Sequence, residues 1–346
     1  MAKKKPNARE TVALSRRNFI KTVTVAAATM ESLMASDKPC RLDLLHPTNP
    51  RGQEIAEMAR TIKMQADIPF AKRPERTLLL DVYSPQKRAQ RPLPAIVTFG
   101  LAAWVHNTKD FCMDLDHVPA FPTPYIYPPA MVPHGFVVVS ADIRVASEAK
   151  FPAQIHDCKC ATQWIRAHAQ ELDVDPDRIG VIGGSASGYL AAMLALTRPE
   201  DGFEDAETFP GVSSNVQAAY SGSGMYDFEY YHSVPGEASL PVQIGQFLGG
   251  TYEQVPEIYR KASPTQYVRP WAPPFLLMHG VQDRRVPYEQ QTHFVEILAK
   301  AGVPTQAIYI NHMSHAVPKV PPDPAYTLTD QTIYNFFEHY LKKQVA

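Results

Sequence analysis

The stretch Arg178-Ile179-Gly180-Val181-Ile182-Gly183-Gly184-Ser185-Ala186-Ser187-Gly188-Tyr189 constrains this chain more than any other. A short run with strand character leads directly into Ala186–Leu196, a compact apolar segment of helical length. The connection is a turn of small residues with Ser185 at its apex. A turn this tight leaves little room for side chains two positions before and after the apex, and it holds the apex hydroxyl above the helix N-terminus. The pattern such a turn calls for is G-x-S-x-G. Gly183 and Ser185 satisfy it, but the position two after the serine is Ser187, with glycine one residue later. Glycine is scarce here, 17 residues against 32 prolines in a chain of 346, so its presence or absence in a turn is informative.

Buried-type strands are expected at Thr77–Tyr83, Ala95–Phe99, Phe136–Ala141, Arg178–Gly183, Val216–Tyr220, Phe275–Met278 and Ala307–Ile310. Helical patterns fall between or after them at 153–170, Ala186–Leu196, 288–301 and 327–342. This alternation predicts an α/β fold with a mostly parallel central sheet and helices on both faces. A hydrophobic fraction of 45% with 20% charged residues excludes a disordered chain. Residues 118–133 carry six prolines among Phe121, Tyr125 and Tyr127 and read as a stiff aromatic loop.

The net charge of -1 gives no global reason to bind nucleic acid, but it hides an asymmetry. Residues 1–35 hold Lys3, Lys4, Lys5, Arg9, Arg16, Arg17 and Lys21 against Glu10 and Glu31. Within them, Ser15-Arg16-Arg17-Asn18-Phe19-Ile20-Lys21 precedes a weakly apolar run. The segment resembles a twin-arginine export signal, which implies a periplasmic or secreted bacterial protein. At about nine residues the run is too short to span a bilayer, so no stable membrane anchor is expected. The expected organisation is an export signal over 1–36, a linker or N-terminal extension over 37–74, and a catalytic domain over 75–346. Cys40, Cys112, Cys158 and Cys160 are too few for a disulfide framework, and Cys158 and Cys160 point apart on a helix, which argues against zinc.

A serine hydroxyl needs a histidine base, itself oriented by a carboxylate, to act as a nucleophile. On a sheet of this kind the partners follow in the order acid, then base, in loops at the carboxyl ends of later strands. Phe275–Met278 leads into His279-Gly280-Val281-Gln282-Asp283, and Ala307–Ile310 into Asn311-His312-Met313-Ser314-His315. Asp283 is the expected acid, with Asp227 as competitor but more suited to a cap or turn. His315 is the expected base and His312 a rim residue. His279, at a strand end, suits a structural hydrogen-bonding role.

With these residues in place, the chain resembles the α/β-hydrolase serine esterases, in the branch of bacterial acetylxylan and feruloyl esterases and related carboxylesterases. The similarity covers roughly residues 75–345. It rests on Phe151-Pro152-Ala153-Gln154-Ile155-His156-Asp157-Cys158-Lys159, on Asp175–Gly180 leading into the elbow, on Phe247-Leu248-Gly249-Gly250-Thr251, on Ala262-Ser263-Pro264, and on Pro273–Pro287. The resemblance implies Ser185 as nucleophile, Asp283 as acid and His315 as base, in agreement with the residue-level reading. After the strand Ala95–Phe99 the family usually carries H-G-G-G-W, whose backbone amides help to hold an oxyanion. Here the segment is Gly100-Leu101-Ala102-Ala103-Trp104, with only the tryptophan in register. The expected oxyanion donors are the amides of Ala102 and Ala103 with that of Ala186.

Together these features imply a cofactor-free, metal-free serine hydrolase acting on a small-molecule or polysaccharide ester, such as an acetyl or feruloyl ester. Trp104, Phe121, Tyr125, Tyr127 and His312 are the candidate substrate contacts. Two rivals remain: a serine exopeptidase of the same fold, and a noncatalytic binding protein with an impaired oxyanion loop. The sequence does not indicate an oligomeric state.

Overall fold

The computed structural model describes residues 60–87, 89–107, 109, 128–205, 207–233, 240–311, 313–315 and 324–342. Its strands are β1 (Ile62–Lys72), β2 (Thr77–Pro85), β3 (Leu93–Phe99), β4 (Leu101–Ala102), β5 (His106–Asn107), β6 (Val137–Ala141), β7 (Val174–Gly184), β8 (Ala218–Gly222), β9 (Phe275–Gly280) and β10 (Thr305–Ile310). Its helices are α1 (Ala153–Ala167), α2 (Ala186–Leu196), α3 (Phe228–Ser233), α4 (Leu240–Leu248), α5 (Pro256–Ala262), α6 (Glu289–Lys300) and α7 (Pro324–Leu341). All seven expected strands and all four expected helices are present, with ends moved by a few residues.

The eight-stranded sheet runs β1-β2-β6-β3-β7-β8-β9-β10. Every pairing from β6 to β10 is parallel, while β2 is antiparallel to both of its neighbours. The sheet begins earlier than the sequence suggests, because β1 falls inside the stretch 37–74 read as a linker. Polar Lys63, Gln65 and Asp67 interleave its apolar positions, and two irregularities break its register with β2. An edge strand that faces water on most of its length carries only a weak hydrophobic signal. The helices α3, α4 and α5, between β8 and β9, were also not anticipated; at six, nine and seven residues they are short for a periodic pattern.

The period of two along the strands sends alternate side chains to opposite faces. Ala95, Val97 and Phe99 of β3 join one core with Ile155 of α1 and Leu190 of α2. Ile96 points the other way and meets Ile333, Phe336 and Phe337 of α7. Burial on both faces explains why the parallel strands read as continuous apolar runs. All residues of α2 are buried, so this helix passes through the interior and has no polar face to display.

The segment Phe151–Lys159 supplies two buried ions. Asp157 on α1 accepts hydrogen bonds from the Arg144 guanidinium at two points, both at 2.9 Å, and from Arg73 Nε at 2.9 Å. Lys159 Nζ, fully buried, donates to Glu204, Ser214 and the Thr197 carbonyl. Such groups persist inside a protein only when paired in this way. No helix among the described residues is long and apolar enough to cross a membrane.

Candidate active site

The turn between β7 and α2 is as tight as its sequence implies. Ser185 is held at φ 56°, ψ -123°, a conformation that side-chain-bearing residues rarely adopt. Its amide donates to the Gly222 carbonyl of β8 at 2.8 Å, which ties the apex to the neighbouring strand. A Cβ on Gly183 would lie 2.1 Å from the carbonyl oxygen of Ser187, so only glycine fits two positions before the apex. The matching position after the apex tolerates Ser187, and its hydroxyl has a task. Ser187 Oγ lies against the carbonyl of Phe99, contacts the Leu101 carbonyl at 3.0 Å, and accepts the Leu101 amide at 3.1 Å. The first turn of α2 is thereby fastened to the segment that follows β3.

Two later loops bring up the acid and base. Asp283 follows β9, and its Oδ1 accepts the amides of Arg285 and Val286, each at 2.9 Å. Its Oδ2 accepts His315 Nδ1 at 2.7 Å. Because the carboxylate can only accept, Nδ1 of His315 carries the proton, and Nε2 is left to receive the Ser185 hydroxyl at 2.9 Å. The loops are stitched to each other by the Gln282 amide on the Met313 carbonyl at 2.9 Å. Gly280 allows their approach, since a Cβ there would sit 2.3 Å from the Met313 carbonyl oxygen. Burial alone would raise the Asp283 carboxyl, but the hydrogen bonds from His279 and His315 outweigh it and hold the group well below the usual carboxylate range.

The structure also separates the competitors. Asp227 caps α3 through the Tyr230 amide and accepts Thr265 Oγ1, both at 2.9 Å, in the cap role expected of it. The side-chain amide of Gln290 clamps the same turn, receiving the amides of Tyr226 and Asp227 at 2.9 Å. Buried His279 donates hydrogen bonds at the end of β9, as its position suggested, and one of them reaches Asp283 itself. Sequence reading missed that link, as it missed the hydroxyl tie made by Ser187; the departure from glycine at 187 was the one signal for the latter.

The segment after β3 differs from expectation in one residue. Ala102 is paired with His106 in the two-residue ladder of β4 and β5, and Ala103 and Trp104 both take positive φ, 50° and 60°. Trp104, expected to offer a stacking surface to substrate, is instead a core residue with 2% exposure. It stacks on Phe247 at 5.1 Å and meets Tyr189 edge-on at 6.0 Å, so its ring faces are occupied by protein. Phe121, Tyr125, Tyr127 and His312 lie outside the described residues.

Other nucleophiles and ligands are less well placed. Cys158 is fully buried, and burial raises its thiol far above the usual range; burial also pushes the Cys160 thiol up to about 12. Thiols in that state are inert. Among the described residues there is no group of three or more His, Cys, Asp or Glu side chains that could hold a metal ion.

Comparison with known proteins identifies the family. The BD-FAE family model matches residues 80–298. Esterase LipC of Mycobacterium tuberculosis is 33% identical over 221 residues, 64% of this chain and 52% of LipC. Esterase LipQ of the same organism is 31% identical over 284 residues, 80% of this chain and 61% of LipQ. The chain thus spans less than two thirds of the length of these relatives. Among solved structures, a truncated form of a carbohydrate esterase from gut microbiota superposes with a TM-score of 0.67 at 22% identity, covering 81% of this chain and 97% of that one. A family match that runs from β2 into α6, and so takes in both the elbow and the acid, shows that the chain belongs to the BD-FAE family and is built on the α/β-hydrolase fold.

Proposed function

We propose that this chain hydrolyses carboxylic esters by two-step acyl transfer. The observation that carries the reading is the unbroken hydrogen-bonded line from Ser185 Oγ through both ring nitrogens of His315 to Asp283. In this scheme His315 Nε2 takes the Ser185 proton as Oγ attacks the ester carbonyl. Asp283 stabilises the imidazolium that forms. The oxyanion lies over the start of α2, where helical amides have no partner of their own, and receives the Ala186 amide. The Ser185 amide is committed to Gly222, so the second donor comes from Ala102 or Ala103. His315 then protonates the departing alcohol, and water repeats the sequence on the acyl-enzyme. Each oxyanion donor contributes about 3–4 kcal/mol to transition-state stabilisation.

The substrate class we infer is a carbohydrate ester, acetylated or feruloylated, met outside the cytoplasm after export on the twin-arginine-type signal. The carbohydrate esterase among the structural neighbours and the basic Ser15–Lys21 segment support this reading. A noncatalytic binding role is the competing reading, favoured by the left-handed residues of the segment after β3.

The test is turnover of p-nitrophenyl acetate, acetylated xylan, a feruloyl ester and an aminoacyl anilide by the purified protein beside Ser185→Ala. Ester turnover that falls about 10⁴-fold or more in the variant is expected. Folded parent protein that turns over no ester, or a variant as fast as its parent, sinks the proposal. Turnover of the anilide alone points to the exopeptidase.

A further inference from the structure

We propose that His279 is a positioning residue for the acid–base pair, a second imidazole donor that fixes the Asp283 carboxylate and tempers its grip on His315. The inference rests on the triad reading above and goes beyond it. Three observations carry it.

The first is the sharing of one oxygen. Oδ2 of Asp283 accepts His315 Nδ1 at 2.7 Å and His279 Nε2 at 3.1 Å, while Oδ1 is occupied by two backbone amides. A carboxylate holding four donors cannot swing, so the line of approach to His315 is fixed from the acid's side. Each added donor also withdraws electron density from the oxygen that His315 uses.

The second is the chemistry of the His279 ring. Nε2 faces two oxygens that can only accept, Asp283 Oδ2 and the Val286 carbonyl at 2.9 Å, so it must carry the proton. Nδ1 is buried and has no hydrogen-bond partner among the described residues. The ring therefore offers its Nε2–H to Asp283 and to the Val286 carbonyl.

The third is placement. His279 is fully buried, four residues before Asp283, as the penultimate residue of β9 before the loop that carries Asp283. It therefore cannot touch substrate, and it acts only through Asp283. Ser185 reaches His315 from the β7–α2 turn, and the Arg285 guanidinium donates to Gln243 on α4.

The test compares His279→Phe, which keeps a ring and removes the donor, with His279→Gln, whose Nε2 can reach the same two oxygens. The acid limb of the kcat/KM profile reports protonation of the coupled Asp283–His315 pair. In His279→Phe that limb is expected to move up by about one pH unit, as loss of one donor to the carboxylate makes the pair more basic. In His279→Gln it is expected to return towards the parent position. A limb unmoved in folded His279→Phe overturns the proposal, as does a limb displaced equally in both variants, which a merely structural role would give.

Two readouts keep this separable from the esterase reading. The pH dependence of Ser185 labelling by a fluorophosphonate probe reports the same limb without any ester substrate. Nitrogen-15 chemical shifts of the parent protein report the His279 tautomer even if neither variant folds. A proton on Nε2 is expected, and an Nδ1–H tautomer overturns the inference. A parent that labels but turns over no ester defeats the substrate reading and leaves this one standing.

Discussion

Two segments meet at Ser187 and are built on opposite plans. At the β7–α2 elbow the backbone is forced by contact: a strained serine, a glycine pressed against the helix, and an amide bonded to the next strand. Past β3 the backbone is held from outside. Ser187 ties Leu101 on one side, and the Trp104 ring is locked among Phe247, Tyr189 and Phe228 on the other. Between these anchors lie Ala102 and Ala103, where the family's pattern has glycines. A loop whose two ends are fixed can reach left-handed dihedrals without glycine, because packing of the tryptophan offsets the backbone cost of about 1–2 kcal/mol per residue. The tryptophan is thus retained for its ring, and the glycines are dispensable as long as it stays buried.

The comparison breaks first at Gly183. A methyl group there meets the backbone of the helix's own first turn at 2.1 Å, and neither partner can yield without unwinding the elbow. Gly183→Ala is expected to cost at least about 3 kcal/mol, or to abolish soluble expression. Chemical denaturation of the purified variant checks this. A loss under 1 kcal/mol would show that the turn is far more yielding than its geometry suggests.

That sensitivity also accounts for what could be read from the chain. The elbow, Asp283 and His315 were legible because each lies at or shortly after the end of an apolar run that reads as a strand, although β10 proves to be a half-exposed edge strand, and the turn requires glycine at 183. Asp227 proves to be a cap, one of the two roles its sequence suggested, although the helix it caps was not anticipated. The segment after β3 was legible only as a departure. The sequence shows alanine in place of glycine but not the tertiary ring contacts that make alanine acceptable, and these come from residues far along the chain, such as Phe228 and Phe247. Trp104 was misread on the same account: an aromatic beside a candidate site is as easily an anchor as a platform. β1 escaped notice because half of its residues face water.

Ser187 is the sharper probe, since it belongs to both segments. Ser187→Ala removes the hydroxyl that joins Phe99 and Leu101 to α2, in a buried setting where an unmet amide costs about 1–3 kcal/mol. Stability is expected to fall by that amount, and kcat by about 10- to 100-fold as the second oxyanion donor loses its register. Ser187→Gly restores the G-x-S-x-G pattern yet removes the same hydroxyl. If the tie is what matters, the two variants lose activity alike. Full activity in the glycine variant instead would mean that the turn, and not the hydroxyl, sets the loop.

The smallest effect is expected at Ala103. Its φ of 50° carries the strain that glycine would relieve, by about 1 kcal/mol. Glycine also widens the unfolded ensemble, which takes back roughly 0.4–1 kcal/mol. Ala103→Gly should therefore leave stability within about 0.5 kcal/mol of the parent, and kcat within threefold, because Ser187 and Trp104 still hold the two ends. Ala103→Val exposes the strain from the other side, as a β-branched residue tolerates a positive φ worst. It is expected to lose about 1–2 kcal/mol and more activity than the glycine variant. Urea midpoints and initial rates for the pair decide the matter. If glycine raises kcat tenfold while valine changes nothing, the loop is catalytically hindered by its alanines and the anchors do not set its shape; the order valine below parent, with glycine near parent, means that the anchors alone hold the donors where an oxyanion would need them.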